Sequence, residues 1–259
     1  MSFAVDASFS APPSRWLLAL EGRALPELAL FGAALPLLAR APRGDGHPVI
    51  VIPGLMASDL AMRPLAAFLR GRGYAAQGWG LGRNLGPLPG VEDRMIARIE
   101  TLRRTHGRKV SLIGWSLGGI YARQIAKRLP DDIRCVISLG SPFKGSPRAT
   151  NAWKVYEYVS GFRSEDRDQH MGGAIDTPPP VPFTAIYSRS DGVCSWRVCR
   201  ENEGLMTENI EVEGSHCGLP HNPAAAFAIA DRLALPEGSW SKFDRASGWR
   251  PWLFRDPDR

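Results

Sequence analysis

Cysteine is scarce, long apolar runs are missing and no basic cluster occurs, and each shortage removes a class of protein. Four cysteines, at 135, 194, 199 and 217, are too few among 259 residues for a disulfide scaffold. No apolar stretch reaches the roughly 18 residues of a spanning helix, so an integral membrane protein is not expected. Lys and Arg outnumber Asp and Glu by 32 to 26, a formal charge of +6, but the two signs are interleaved. That pattern leaves no footprint for nucleic acid. Residues 1–14 hold Asp6 and lack the basic start and apolar centre of a secretory leader. A cytoplasmic location is therefore the default expectation, with peripheral membrane contact or leaderless export as the alternatives. No internal repeat is visible.

What the chain does have is 44% hydrophobic residues, enough for one domain with a full core. Residues 1–46 read as an N-terminal helical segment. Within it Leu28, Phe31, Leu35 and Leu38 recur at steps of 3, 4 and 3, which predicts one helical face, and Pro26 with Glu27 marks a helix start. The face suits docking on a core; with Trp16 it would also suit lipid or a substrate entrance. From residue 47 strands and helices alternate. Val49–Ile52, Tyr74–Gln77, Lys109–Ile113, Ile133–Leu139, Val181–Tyr187 and Asn209–Val212 read as strands. Ala61–Arg70, Val91–Thr105, Gly118–Leu129 and Pro223–Leu235 read as helices. Such alternation predicts the α/β class, a mostly parallel central sheet with helices on both faces. A polar stretch at about 143–180 interrupts it as a lid insertion. The domain so defined spans 47–235, and an aromatic-rich extension, 236–259, is expected to pack back on it.

One motif carries chemistry. Gly114-Trp115-Ser116-Leu117-Gly118 sits directly between a strand and a helix. A reversal that sharp leaves no room for side chains on either side of the serine and pushes its hydroxyl outward above the N–H groups of a helix start. A serine hydroxyl needs a base, and the base needs an orienting acid. Two later strands exit into Ser190-Asp191-Gly192 and Gly214-Ser215-His216, so Asp191 and His216 are the matching pair. His221, His47, His106 and His170 are weaker bases by position: a helix cap, a surface residue at the far end of the sheet, a helix end and a solvated insertion. Asp166, Asp168 and Asp176 share that insertion. Oxyanion donors are expected from the backbone N–H of Leu117 and of Leu55, with Met56 as the runner-up for the second. Met56, Trp79, Trp115 and Phe143 are candidate substrate contacts.

Together with Val51-Ile52-Pro53-Gly54-Leu55 and Gly140-Ser141-Pro142-Phe143-Lys144-Gly145, these motifs resemble the α/β-hydrolase superfamily, in particular its lipase and esterase branch, over about residues 47–235. The resemblance implies a Ser-His-Asp hydrolase without metal or organic cofactor, a lid after Pro142, and carboxylic esters as substrates, lipid-like ones first given the apolar N-terminal helices. Pro53 stands where many lipases carry histidine. Pro-Gly is similar to some phospholipid acyltransferases, which leaves an acyltransferase, thioesterase or amidase with the same triad as the alternative, and a non-catalytic binder of the same fold as the other. Cys199 and Cys217 fall in the loops bearing the acid and the histidine, where a disulfide would tie the two together. Cys135 reads as a core residue.

Overall fold

The β-branched run Val49–Ile52 is apolar on both faces, and only a central strand of a parallel sheet buries both. It forms β1 (Pro48–Ile52), buried along its whole length. The computed structural model describes residues 11–257. Residues 1–10, read above for a leader, and the last two of the extension lie outside the described residues.

The other strands are β2 (Ala75–Gly78), β3 (Val110–Trp115), β4 (Ile133–Leu139), β5 (Phe183–Tyr187) and β6 (Thr207–Glu211), in the order β2-β1-β3-β4-β5-β6 with every neighbouring pair parallel. Among the described residues eight α-helices accompany them: α1 (Arg15–Ala19), α2 (Ala24–Leu38), α3 (Asp59–Gly71), α4 (Val91–His106), α5 (Leu117–Arg128), α6 (Trp153–Ser160), α7 (Arg167–His170) and α8 (Pro223–Leu233). The period-2 alternation of β1 sorts the layers. Val49 and Val51 face α2, α3 and α8, whereas Ile50 and Ile52 face α4 and α5.

Chain order around β1 places the site. The chain leaves β1 for β2 on one side and returns to β3 on the other, so strand order reverses between β1 and β3. Loops leaving the C-terminal ends of those two strands diverge, and the crevice between them is where open parallel sheets bind ligands. Pro53-Gly54-Leu55 leaves β1 there, and Ser116 leaves β3.

The flanking segments differ in part from the sequence pattern. Helix α2 begins at Ala24, with Pro26 in its first turn, where a missing N–H costs nothing. Its expected single face is only half used: Phe31 and Leu38 are buried, but Leu28 and Leu35 are 41% and 45% exposed at the edge of a groove against α3. At the other end Phe243 and Phe254 are buried, Trp249 and Phe254 pack on Phe227 of α8, and Trp252 stays exposed. This segment also covers the open edge of the sheet. Glu211 bridges Arg255, and the Phe243 N–H donates to the buried Glu208 carboxylate of β6 at 2.6 Å. Among the described residues no helix is long and apolar enough to cross a membrane.

Candidate active site

Ser116 has φ 54° and ψ −122°, a conformation that a non-glycine residue adopts only when its surroundings enforce it. The enforcement is visible in its neighbours. A Cβ on Gly114 would lie 2.2 Å from the Gly118 carbonyl oxygen, and one on Gly118 would lie 2.3 Å from the Ile52 carbonyl oxygen. Backbone meets backbone at both points, so neither can give. The Ser116 N–H donates to Leu139 O of β4 at 2.8 Å, which locks the elbow to the next strand.

Asp191 and His216 meet at the same end of the sheet. Asp191 Oδ2 lies 2.6 Å from His216 Nδ1, with both side chains buried. The other oxygen, Oδ1, accepts the N–H groups of Val193 at 2.8 Å and Cys194 at 2.7 Å, so the carboxylate cannot rotate away from the ring. Trp115, beside the serine, completes the frame by donating its indole N–H to His216 O at 3.0 Å. Burial works against an imidazolium at His216, but the Asp191 charge outweighs it and holds the ring well above the ordinary histidine range.

The three backbone N–H groups expected near the serine differ in whether they already have a partner. The Met56 N–H donates to Asn84 O at 2.6 Å and is already used. Neither the Leu55 N–H nor the Leu117 N–H has a partner among the described residues, and both residues line a cavity with Ser116. Asn84, which the sequence marks only as part of a glycine-rich loop, is fully buried. Its Nδ2 donates to Pro53 O at 2.8 Å and its N–H donates to Ala57 O at 2.8 Å, which pins the turn on both sides of Leu55. Asn84→Ala is therefore expected to lower kcat about 10²-fold with little change in KM, measured by steady-state kinetics, because the turn would lose its aim rather than its surface.

The cavity itself is narrow, about 70 Å³, and is walled by Leu55, Ile120, Pro142, Trp153, Tyr156 and Met171. Two proposed substrate contacts lie elsewhere. Trp79 is buried against Tyr121 with its indole N–H on Gly82 O, and Phe143 is held between the Arg123 guanidinium and Phe183. Both are core residues, and neither lines this cavity. Trp115 touches the histidine instead, and Met56 is exposed at the rim of the turn, with φ 60°.

Three of the other four histidines have partners of their own. His221 Nε2 lies 2.9 Å from Ala24 O, and His170 stacks on Phe162. His47 corrects the sequence reading most sharply, since it is fully buried rather than on the surface. Its Nδ1 lies 2.6 Å from Asp45 and its Nε2 lies 2.9 Å from Ser111 Oγ, a second Ser-His-Asp arrangement at the opposite end of the sheet. Ser111 lies inside β3, in regular pairing with β1 and β4 and with no exposed surface, so no substrate can reach it. Burial, the largest influence, lowers the His47 pKa, as an inner structural histidine requires.

All four cysteines are unpaired. The expected Cys199–Cys217 bridge is not formed, because Cys199 packs in a cluster with Tyr187, Cys194 and Val198 while Cys217 is exposed. Cys194 lines the cavity, but burial pushes its thiol well above the usual range, and a thiol is a far weaker nucleophile than a thiolate. Among the described residues no group of three or more His, Cys, Asp or Glu is placed to hold a metal ion.

No family model matches the chain. Solved structures do. A monoacylglycerol lipase of Paleococcus ferrophilus superposes with a TM-score of 0.53 at 16% identity, over 73% of this chain and 96% of that one. Est1E of Butyrivibrio proteoclasticus gives 0.52 at 15%, over 75% and 90%. A lipase of Bacillus licheniformis gives 0.50 at 18%, over 73% and 92%. Identities this low speak to architecture alone. Strand order, elbow and these likenesses together place the chain in the α/β-hydrolase fold.

Proposed function

We propose that the protein is a serine hydrolase of carboxylic esters. The observation that carries the reading is the strained Ser116 at the head of α5, beside a cavity and at the same sheet end as the buried Asp191–His216 pair. Ser116 Oγ attacks the ester carbonyl while His216 takes its proton. Asp191 holds the ring in the tautomer that leaves Nε2 as acceptor. The tetrahedral oxyanion is bound by the N–H groups of Leu55 and Leu117, the second of them at the positive end of the α5 dipole. His216 then returns the proton to the departing alcohol, and water resolves the acyl-enzyme with the same histidine as base.

The cavity supports a short acyl group. A cavity of roughly 150 Å³ accommodates a benzene ring, and the one lined by Ser116 has about half that volume. Hydrolysis of p-nitrophenyl esters from acetate to palmitate tests both points. The expected profile peaks at acetate to butyrate and falls by about tenfold or more at palmitate. A maximum at long chains would contradict the short-acyl assignment. Transfer to an added alcohol in preference to water would move the reading to an acyltransferase.

A further inference from the structure

The mechanism just described uses no residue before Leu55. The turn at Leu20–Arg23 and the first turn of α2 nevertheless commit three charged side chains to the two loops that carry the acid and the base. Glu21 Oε1 accepts the N–H of Gly192 at 2.7 Å and the N–H of His216 at 2.9 Å, and Oε2 accepts the N–H of Cys217 at 2.8 Å. Glu27 accepts the N–H of Ser215 at 2.9 Å, and its other oxygen accepts the Ser215 hydroxyl. Arg23 pairs with Glu27 at 3.2 Å and donates to Ser190 O and Oγ at 2.7 and 2.9 Å.

The positions of the partners are the telling feature. One carboxylate joins the residue after Asp191 to His216 itself, and these partners lie 171 and 195 residues further along the chain. Three consecutive N–H groups, those of 215, 216 and 217, are all taken by the two glutamates. The approach is close: a Cβ on Gly192 would lie 2.2 Å from Leu17 O of α1. Hydrogen bonds to an ionised acceptor are about twice as strong as neutral ones, and a bidentate carboxylate fixes angle as well as distance.

We propose that Glu21 is a positioning residue for the catalytic pair, setting the separation of the acid loop and the histidine loop, with Glu27 and Arg23 as its supports. The N-terminal segment is on this account part of the catalytic apparatus. The assignment rests on the hydrolase reading for its kinetic consequences, but not for its structural one.

The test uses the full chain with Glu21→Ala, Glu21→Gln and, as a remote control, Glu100→Ala on α4. Glu21→Ala is expected to lower kcat for p-nitrophenyl acetate about 10–100-fold with KM changed less than about twofold, and to slow fluorophosphonate labelling of Ser116 equally. Glu21→Gln keeps one acceptor oxygen and is expected to fall between it and the wild type. The acid limb of kcat against pH is expected to move to lower pH in both, because a loosened pair gives up part of the Asp191 support for His216. A role in folding alone would lower the melting temperature and leave kcat, KM and the limb unchanged, and that result overturns the proposal. A second readout needs no turnover: the far-downfield proton resonance of the His216 Nδ1–Asp191 hydrogen bond. It is expected to be sharp in the wild type and broadened or lost in both Glu21 variants, and an unchanged resonance also overturns the proposal. Wild-type protein that shows the resonance but neither turnover nor a Ser116 adduct would defeat the hydrolase reading while leaving the positioning role to be decided by the resonance alone. Should the alanine variant fail to fold, Glu21→Gln carries every comparison.

Discussion

Ser116→Ala is expected to lower kcat for short p-nitrophenyl esters by roughly 10⁶-fold while leaving the fold intact, as judged by an unchanged circular dichroism spectrum. The magnitude follows from what alanine removes. In the proposed mechanism the hydroxyl is the one elbow atom that bonds covalently to substrate, and the Leu55 and Leu117 N–H groups can still polarise a carbonyl but have no nucleophile to work with. The backbone strain is unaffected by the exchange. Ser116 holds φ 54° whichever side chain it bears, so alanine relieves nothing, and the stability of the variant should stay near that of the wild type. Ser111→Ala is the instructive companion. It removes the hydroxyl at 2.9 Å from His47 Nε2 and leaves a buried imidazole nitrogen without a partner. Turnover should then be unchanged while stability falls by about 1–3 kcal/mol, read from chemical denaturation. On the proposed mechanism, two serines with the same nominal partners thus divide into one that reacts and one that packs. The division follows from backbone placement and access rather than from the triad geometry.

Asp191→Asn is expected to lower kcat by roughly 10⁴-fold and to move the pH profile. The amide keeps the shape and still accepts the Val193 and Cys194 N–H groups at Oδ1. Its amide nitrogen faces His216 Nδ1, however, and drives the ring proton onto Nε2, where it blocks proton abstraction from the serine. In the wild type, burial alone would lower the His216 pKa, and the Asp191 charge reverses that and raises it well above the usual range. Hydrolysis needs the neutral ring, so wild-type activity should climb with pH into the alkaline range. Removing the carboxylate takes away the strongest support of the charged ring and leaves only the neighbouring Cys194 against burial, so the residual activity of Asp191→Asn should reach its plateau at lower pH. Stability runs the other way. A histidine whose folded pKa lies above the unfolded value of about 6.5 contributes stability that is complete below that pH and is lost as pH rises through the folded value. Melting temperature should therefore decline toward alkaline pH in the wild type, with this component absent in Asp191→Asn. The two pH dependences are measured by stopped-assay kinetics and thermal melts in the same buffers.

The parts of this architecture that depend on local pattern were legible in the sequence. The continuous apolar run Val49–Ile52, the elbow glycines and the strand exits at Asp191 and His216 are each written within a few residues, and the structure has strands or turns at those places. The class, a parallel sheet with helices on both faces, followed from their alternation. What escaped are contacts that join distant segments. His47 reads as a surface residue because its partners arrive from β3 and β4, as Ser111 and Arg134. Trp79 and Phe143 read as substrate contacts because aromatics beside a glycine loop suggest a pocket, whereas Tyr121 and the buried Arg123 claim them for the core. Glu21 had no signal at all, since nothing in Leu20-Glu21-Gly22-Arg23 marks a carboxylate that will cap a turn 195 residues away. The absent Cys199–Cys217 bridge has the same origin. Loop adjacency along the chain did not reveal that one thiol turns into the apolar cluster with Tyr187 while the other turns outward.

The most direct test of the central claim is to treat the intact protein with a fluorophosphonate and map the adduct by mass spectrometry. The account predicts a single stoichiometric adduct on the peptide containing Ser116, absent in Ser116→Ala and retained in Ser111→Ala. An adduct elsewhere, or none on a protein that turns over esters, would contradict it.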